Sequence, residues 1–111
     1  MTQTTRSYIS LFVILLVGAV LTGCAAKKAL KKGNAAKARG DMYGAAIAYL
    51  QALDEKSGYE DAVVALRNVA KPAYNQKRDE AEGLRSRQEF DAAIREYENL
   101  AEFTERMGFV E

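Results

Sequence analysis

The chain has a single cysteine, Cys24, which supplies its only thiolate nucleophile, and it has neither histidine nor tryptophan. One cysteine cannot form a disulfide within the chain. Without histidine, Cys/His zinc sites and His-dependent catalytic triads are impossible as well. The sequence therefore excludes several common routes to catalysis before any fold is considered.

Carboxylates are the other reactive groups, with 15 Asp and Glu residues. A paired-carboxylate glycosidase would place two acids across a cleft and raise the pKa of one in an apolar pocket. Here the acids lie on the polar faces of predicted helices with basic residues nearby, as at Arg78–Glu82 and Glu102–Arg106. The chain also lacks a phosphate-binding glycine loop and metal-ligand spacing. We expect no enzymatic activity, no catalytic residues, no metal and no non-covalent cofactor.

The charges are unevenly distributed, although the net charge is only +1. Residues 24–39 contain six basic residues and no acid, whereas residues 40–111 contain nine basic and fifteen acidic residues. A basic stretch beside an apolar one favours a membrane surface as the partner over nucleic acid. The globular part has fewer than 90 residues, too few for a doubly wound nucleotide-binding sheet, a large barrel or a two-domain enzyme.

The N-terminal residues are organised like an export signal. Met1–Ser10 is polar, and Leu11–Val20 is an apolar stretch of ten residues, whereas a membrane-spanning helix needs about 20. Leu21-Thr22-Gly23-Cys24 follows directly and resembles the lipobox of bacterial lipoproteins. The resemblance implies that residues 1–23 are a signal peptide, cleaved between Gly23 and Cys24.

In that family the cysteine thiol receives a diacylglyceryl group with palmitate-type chains, and the amino group freed by cleavage can also be acylated. Carried over, Cys24 is the lipidation site and the first residue of a mature chain 24–111. The covalent lipid is the only non-protein group implied. Ala25 stands after the cysteine where Asp would favour the inner membrane. In a Gram-negative host this implies the periplasmic face of the outer membrane.

An uncleaved membrane anchor is the alternative. Ile9–Ala26 has 18 residues, which is marginally long enough to span a bilayer. Lys27, Lys28, Lys31 and Lys32 follow it, and positive charge behind an apolar segment tends to remain in the cytoplasm. This alternative predicts a single-pass inner-membrane protein with a helical domain.

The remainder of the chain predicts an all-α fold, because it has one proline and is rich in Ala, Glu, Lys, Leu and Arg. Apolar residues recur at helical spacing in five segments. These segments are Ala26–Arg39, Tyr43–Asp54, Tyr59–Lys71, Ala73–Arg87 and Phe90–Arg106. Pro72 lies between the third and fourth segments, and leaves open whether they form two helices or one kinked helix.

Two stretches resemble each other at an offset of 48 residues. Gly33, Gly40, Ala45, Tyr49 and Ala52 align with Ala81, Gln88, Ala93, Tyr97 and Leu100. The pattern is similar to tetratricopeptide (TPR) repeats, in which small residues let helix A approach helix B and an aromatic residue of helix B fills the gap. The resemblance implies TPR-like antiparallel hairpins at residues 26–59 and 74–107, joined by a connecting helix 59–71. The usual period is 34 residues, and the excess corresponds to about four helical turns.

In TPR proteins helix A lines a concave binding surface. Carried over by position, this possible partner groove comprises Lys27, Leu30, Asn34 and Lys37 from the first unit and Asn75, Arg78, Glu82 and Arg85 from the second. Asn34 holds the position that clamps a peptide carboxylate in some relatives, but Leu30 stands where a lysine would be needed.

Together these resemblances imply a lipid-anchored scaffold or adaptor that binds an unidentified envelope protein or peptide and no nucleic acid. The rival hypothesis is a self-associating, structural envelope spacer, which would be a homo-oligomer. The absence of a sustained heptad repeat and of a C-terminal lysine weighs against the spacer.

Overall fold

A computed structural model describes residues 23–108, so the predicted signal peptide lies outside the described residues except for Gly23. The described part contains four helices and no strand. They are α1 (residues 23–38), α2 (Met42–Glu55), α3 (Glu60–Ser86) and α4 (Phe90–Gly108). The all-α class is confirmed, and the described part has four helices where the sequence predicted about five.

The count differs because the third and fourth predicted segments form the single helix α3, with Pro72 inside it. A proline within a helix lacks the amide donor and crowds the carbonyl four residues earlier, at a cost of about 3 kcal/mol. Val69 and Ala73 on either side of Pro72 are buried in one core, while Pro72 itself is exposed. Continuous packing of this face outweighs the local cost. The predicted connecting helix and the first helix of the second hairpin are therefore one element.

Helices α1 and α3 each end in a Schellman turn. In this turn, two amides beyond the helix donate hydrogen bonds to carbonyl groups of the last helical turn. After α1, the amide of Asp41 donates to the carbonyl oxygen of Ala36, and the amide of Gly40 donates to that of Lys37, both at 3.0 Å. After α3, the amide of Glu89 donates to the carbonyl oxygen of Leu84, and the amide of Gln88 donates to that of Arg85, both at 3.0 Å. Gly40 has φ 81° and Gln88 has φ 62°. The two turns lie 48 residues apart in the sequence.

The α1–α2 turn is fastened to α3 by one side chain. Gln76 donates to the carbonyl oxygen of Gly40 at 3.0 Å and accepts from the amide of Tyr43 at 2.9 Å. Asp41 caps α2, because its Oδ1 accepts from the amide of Gly44 at 2.9 Å. These bonds satisfy backbone groups that the helix ends leave without helical partners.

Most of the buried apolar residues are alanines. Helix α2 packs on α3, and α3 packs on α4, around one main core. Its buried members are Ala36, Ala45, Ala46, Tyr49, Leu50, Leu66, Val69, Ala73 and Phe103. A smaller cluster lies toward the start of α1 and consists of Ala29, Ala52 and Ala62. Alanine-rich surfaces let the helix axes approach closely.

Helices α1 and α2 approach each other closely at Gly33. A Cβ atom on Gly33 would lie 2.6 Å from Cδ1 of Tyr49, and closer still to Cε1. Tyr49 is fully buried, and its hydroxyl donates to Oδ1 of Asn34 at 2.6 Å. Burial also raises the pKa of Tyr49. Glycine is therefore required at position 33 for this ring to pack as it does.

Candidate functional site

Cys24 lies at the start of the described part of α1, and its thiol is free and exposed. A Cβ atom on Gly23 would meet no atom within 4 Å. Cleavage between these two residues stays a prediction. The other lipobox residues, Leu21 and Thr22, lie outside the described residues.

The exposed face of α1 combines this thiol with three ammonium groups. Cys24, Lys27, Lys28 and Lys31 are all exposed, and their i, i+3, i+4, i+7 spacing places them on one side of the helix. Among residues 23–108, no carboxylate lies within ion-pair distance of any α1 lysine. These charges are therefore available to an external anionic partner.

The seven charged and amide residues predicted to line a groove lie on two helices. Lys27, Asn34 and Lys37 are exposed on α1; on α3, Asn75 and Arg78 are half-buried while Glu82 and Arg85 are exposed. Four concave surfaces in residues 23–108 are lined by other side chains, and the two sets do not meet in any of these four. Asn34 is already engaged through its carbonyl oxygen by Tyr49.

Sequence reasoning missed an apolar groove of about 510 Å³ between α3 and α4. It is lined by Tyr74, Tyr97, Leu100, Ala101, Thr104 and Glu105. Phe90 and Ile94 are more than half exposed, and their spacing extends a stripe toward Tyr97. The sequence did contain a sign of this groove, because the apolar residues of α4 cover two faces of the helix. In the structure, only the face with Ala93, Leu100 and Phe103 is buried.

A buried cation was also missed. Lys77 is only 8% exposed, and its Nζ lies 2.5 Å from Glu96 Oε2, 3.4 Å from Glu80 Oε2 and 4.1 Å from the ring centroid of Tyr43. Burial lowers the pKa of Lys77, but the Glu96 hydrogen bond and the charges of Glu80 and Glu96 outweigh it, so the net pKa is raised. Lys77 is therefore a protonated structural cation at neutral pH and not a nucleophile.

Two arginines form ion pairs that the i, i+4 spacing along one helix did not predict. Arg106 Nη2 lies 2.7 Å from Asp54 Oδ2 of α2 rather than pairing with Glu102. Arg78 Nη2 lies 3.4 Å from the adjacent Asp79 Oδ1 rather than pairing with Glu82. Neither of these i, i+4 neighbours forms an ion pair, and Arg106 ties α4 to α2.

Within residues 23–108, no helix is both long enough and apolar enough to cross a membrane. The same residues contain no group of three His, Cys, Asp or Glu side chains arranged to hold a metal ion. Comparison with protein-family models, curated proteins and solved structures finds no match to this chain. Its function therefore has to be inferred from the residues and their geometry.

Proposed function

We propose that this protein is a lipid-anchored, non-enzymatic helical scaffold that binds another protein or peptide at the periplasmic face of the bacterial outer membrane. The observation that carries the proposal is the position of Cys24, which ends a lipobox-like tetrapeptide and is exposed at the start of α1. Ala26 and Ala29, which are buried, occupy a different face of the same helix. Acyl chains on the Cys24 thiol would therefore reach a bilayer without disturbing the core.

Lipid attachment would fix the protein to the membrane surface. Each buried methylene contributes about 0.8 kcal/mol, so one acyl chain binds marginally and two or more bind stably. Anchoring also raises the local concentration of the helical surface, which allows a weak binding site to hold an envelope partner. The exposed residues of α3 predicted for the partner groove, Glu82 and Arg85, would provide such a surface.

Two features support a TPR-like arrangement of the helices. The Schellman turns after α1 and α3 recur at the 48-residue offset seen in the sequence. The Gly33–Tyr49 contact pairs a small residue on one helix with an aromatic residue on the next. The order of packing, α2 on α3 and α3 on α4, agrees with a stack in which each element contacts its neighbours.

The first test is the intact mass of the full-length gene product purified from the membrane fraction, with Cys24→Ser and Ala25→Ser as matched variants. The wild type and Ala25→Ser should both lose residues 1–23 and gain the mass of a lipid. Cys24→Ser should show neither change, because a hydroxyl cannot replace the thiolate as acceptor. A full-length, unmodified wild type in the inner membrane would instead support the single-pass alternative.

One observation favours the self-associating spacer as a second candidate. The stripe of Phe90, Ile94 and Tyr97 on α4 leaves apolar area uncovered, and burying it between chains would be favourable. Size-exclusion chromatography with light scattering on residues 25–111 distinguishes the two. A monomer supports the scaffold, whereas a tight elongated oligomer supports the spacer.

A further inference from the structure

We infer that the exposed face of α1 lies on anionic phospholipid headgroups, so that the lysines of this helix set the orientation of the anchored protein. The inference rests on the proposed lipidation of Cys24 and adds a second membrane contact to it. The surface consists of Lys27, Lys28 and Lys31, which we call the basic face. Its partner is the phosphate layer of a bilayer that contains phosphatidylglycerol.

The geometry of α1 places the lipid and the basic face on the same side. At about 100° per residue, Cys24 and the three lysines cover an arc of only about 100°. The buried residues Ala26, Ala29, Gly33 and Ala36 cover the opposite side. A chain inserted from Cys24 therefore brings the basic face toward the bilayer, and α2 borders this face only at Lys28, which lines a pocket with Gln51 and Glu55 of α2.

Charge separation within the molecule favours this orientation over the reverse. Residues 24–39 contain no acid, and the α1 lysines have no intramolecular ion-pair partner within residues 23–108. Helix α4 has five acidic and two basic residues, so placing α4 against an anionic surface would be repulsive. A negatively charged membrane therefore attracts the α1 side of the molecule and repels the α4 side.

The basic face would determine orientation rather than affinity. Two or more acyl chains already anchor a protein stably, but a flexible lipid linkage does not select which surface faces the bilayer. A lysine next to an anionic membrane contributes about 1 kcal/mol, which corresponds to about a five-fold preference. Three lysines then favour the α1-down orientation about 100-fold, and the α3–α4 groove remains accessible from the periplasm.

The test measures which helix lies near the headgroups. Because Cys24 is the only cysteine and carries the lipid, an added cysteine is a unique labelling site. Ala35→Cys on α1 and Ala101→Cys on α4 are suitable, since both alanines are exposed. Each lipidated full-length gene product would carry a fluorophore and be reconstituted into vesicles with a headgroup-attached quencher. The vesicles contain phosphatidylcholine alone or with phosphatidylglycerol.

Two triple variants separate a local effect of the basic face from an effect of total charge. One is Lys27→Gln/Lys28→Gln/Lys31→Gln. The matched control is Arg67→Gln/Lys71→Gln/Arg95→Gln, which removes three exposed positive charges outside α1 that form no ion pair within residues 23–108. Circular dichroism would check that both retain the helix content of the wild type.

We expect the label at position 35 to be quenched more than the label at position 101, and only with phosphatidylglycerol. The difference should disappear in the Lys27/Lys28/Lys31 variant and persist in the control. It should also disappear at about 1 M salt, where the Debye length is about 3 Å. Equal or stronger quenching at position 101, independence from phosphatidylglycerol, or equal loss in both triple variants would overturn the inference.

Mass spectrometry of the same samples separates this inference from the proposed function. If Cys24 carries lipid but quenching does not depend on the basic face, the inference alone fails. If Cys24 carries no lipid, both fail.

Discussion

The two hairpins of this molecule have the same type of turn but differ in how their helices pack. In the first, α1–α2, Tyr49 is fully buried over Gly33 and its hydroxyl is bonded to Asn34. In the second, the end of α3 with α4, the aligned Tyr97 is half-buried and borders an open groove. Ala81, fully buried, stands at the position of Gly33.

The comparison shows that a repeated pattern can preserve a turn without preserving the packing that follows it. Ala81 carries a methyl group at the position where Gly33 has only hydrogen, and one methyl group is significant in a close-packed interior. The second hairpin instead gains a charged contact, from Lys77 on α3 to Glu96 on α4. Apolar packing therefore holds the first hairpin, whereas a partly buried ion pair contributes more to the second.

The largest expected effect is the loss of Tyr49. Tyr49→Ala should lower the free energy of unfolding by about 3–5 kcal/mol, since it empties a fully buried aromatic site. A domain of this size has only about 3–5 kcal/mol in total, so the variant should be largely unfolded. Tyr97→Ala should cost about 1 kcal/mol or less because its ring is partly solvated. Urea unfolding of residues 24–111 with Cys24→Ser, followed by circular dichroism, checks both.

Equal costs for the two tyrosines would contradict the contrast between the hairpins. Tyr49→Phe serves as the control for ring volume, because it removes only the hydroxyl that donates to Asn34. It should cost about 1 kcal/mol, well below the alanine variant.

Glycine substitutions in the two hairpins should have opposite signs. Gly33→Ala should destabilise by about 1–3 kcal/mol, because the new methyl would collide with the Tyr49 ring. Gly83→Ala should stabilise by about 0.5–1 kcal/mol, since a Cβ there would meet only Arg87 Nη1 at 3.6 Å and alanine favours helix. Thermal unfolding of both variants beside the parent gives the signs directly. Stabilisation by Gly33→Ala would mean that the approach of α1 to α2 is looser than described.

The charged contact of the second hairpin gives an intermediate effect. Glu96→Gln should destabilise by about 1–2 kcal/mol, because it leaves Lys77 largely buried without its closest counter-ion. Glu80→Gln should cost less than about 0.5 kcal/mol, since the Glu80 side chain is 54% exposed and 3.4 Å away. Urea unfolding at pH 7 compares them, and similar costs would show that Glu96 is not the principal partner.

Alkaline pH provides a second readout of the same pair. The pKa of Lys77 is raised in the folded state, so its stabilising contribution is complete below the unfolded value of 10.5 and is lost as pH rises through the folded value. Burial raises the pKa of Tyr43 and of Tyr49 above the ordinary value of 10.0. Deprotonation of these two tyrosines at high pH therefore also lowers the stability of the folded state. Stability should therefore fall above about pH 10 in the parent, and less steeply in Glu96→Gln.

The sequence predicted the helical class and the turns because both depend on local interactions. Glycine at position 40 and helical spacing on either side were enough to locate the α1–α2 turn. The sequence left the continuity of α3 undecided, since the cost at Pro72 is local whereas the compensating burial of Val69 and Ala73 depends on α2. The contact between Arg106 and Asp54 was hidden for the same reason, because it joins residues 52 apart.

The candidate sites divide in a similar way. Cys24 could be singled out because the lipobox is a contiguous motif, and its lipidation remains a prediction. The basic face of α1 could be identified only from the structure. The sequence gives the lysines, but it does not show that the side of α1 with Ala26 and Ala29 is buried. Lys77 required it even more, because nothing in its sequence neighbourhood indicates that Tyr43 and Glu96 surround it.

The smallest expected effect tests the feature that the hairpins share. Gln88 adopts φ 62° in the position that Gly40 occupies with φ 81°, and this left-handed conformation costs a non-glycine residue about 1–2 kcal/mol. Gln88→Gly should therefore stabilise by about 0.5–1 kcal/mol, since glycine's greater freedom in the unfolded chain offsets part of the gain. Gly40→Ala should destabilise by about 1 kcal/mol for backbone reasons alone, because a Cβ there would meet no atom within 4 Å. Thermal unfolding measures both; destabilisation by Gln88→Gly would mean that side-chain contacts of Gln88, rather than backbone geometry, hold the second turn.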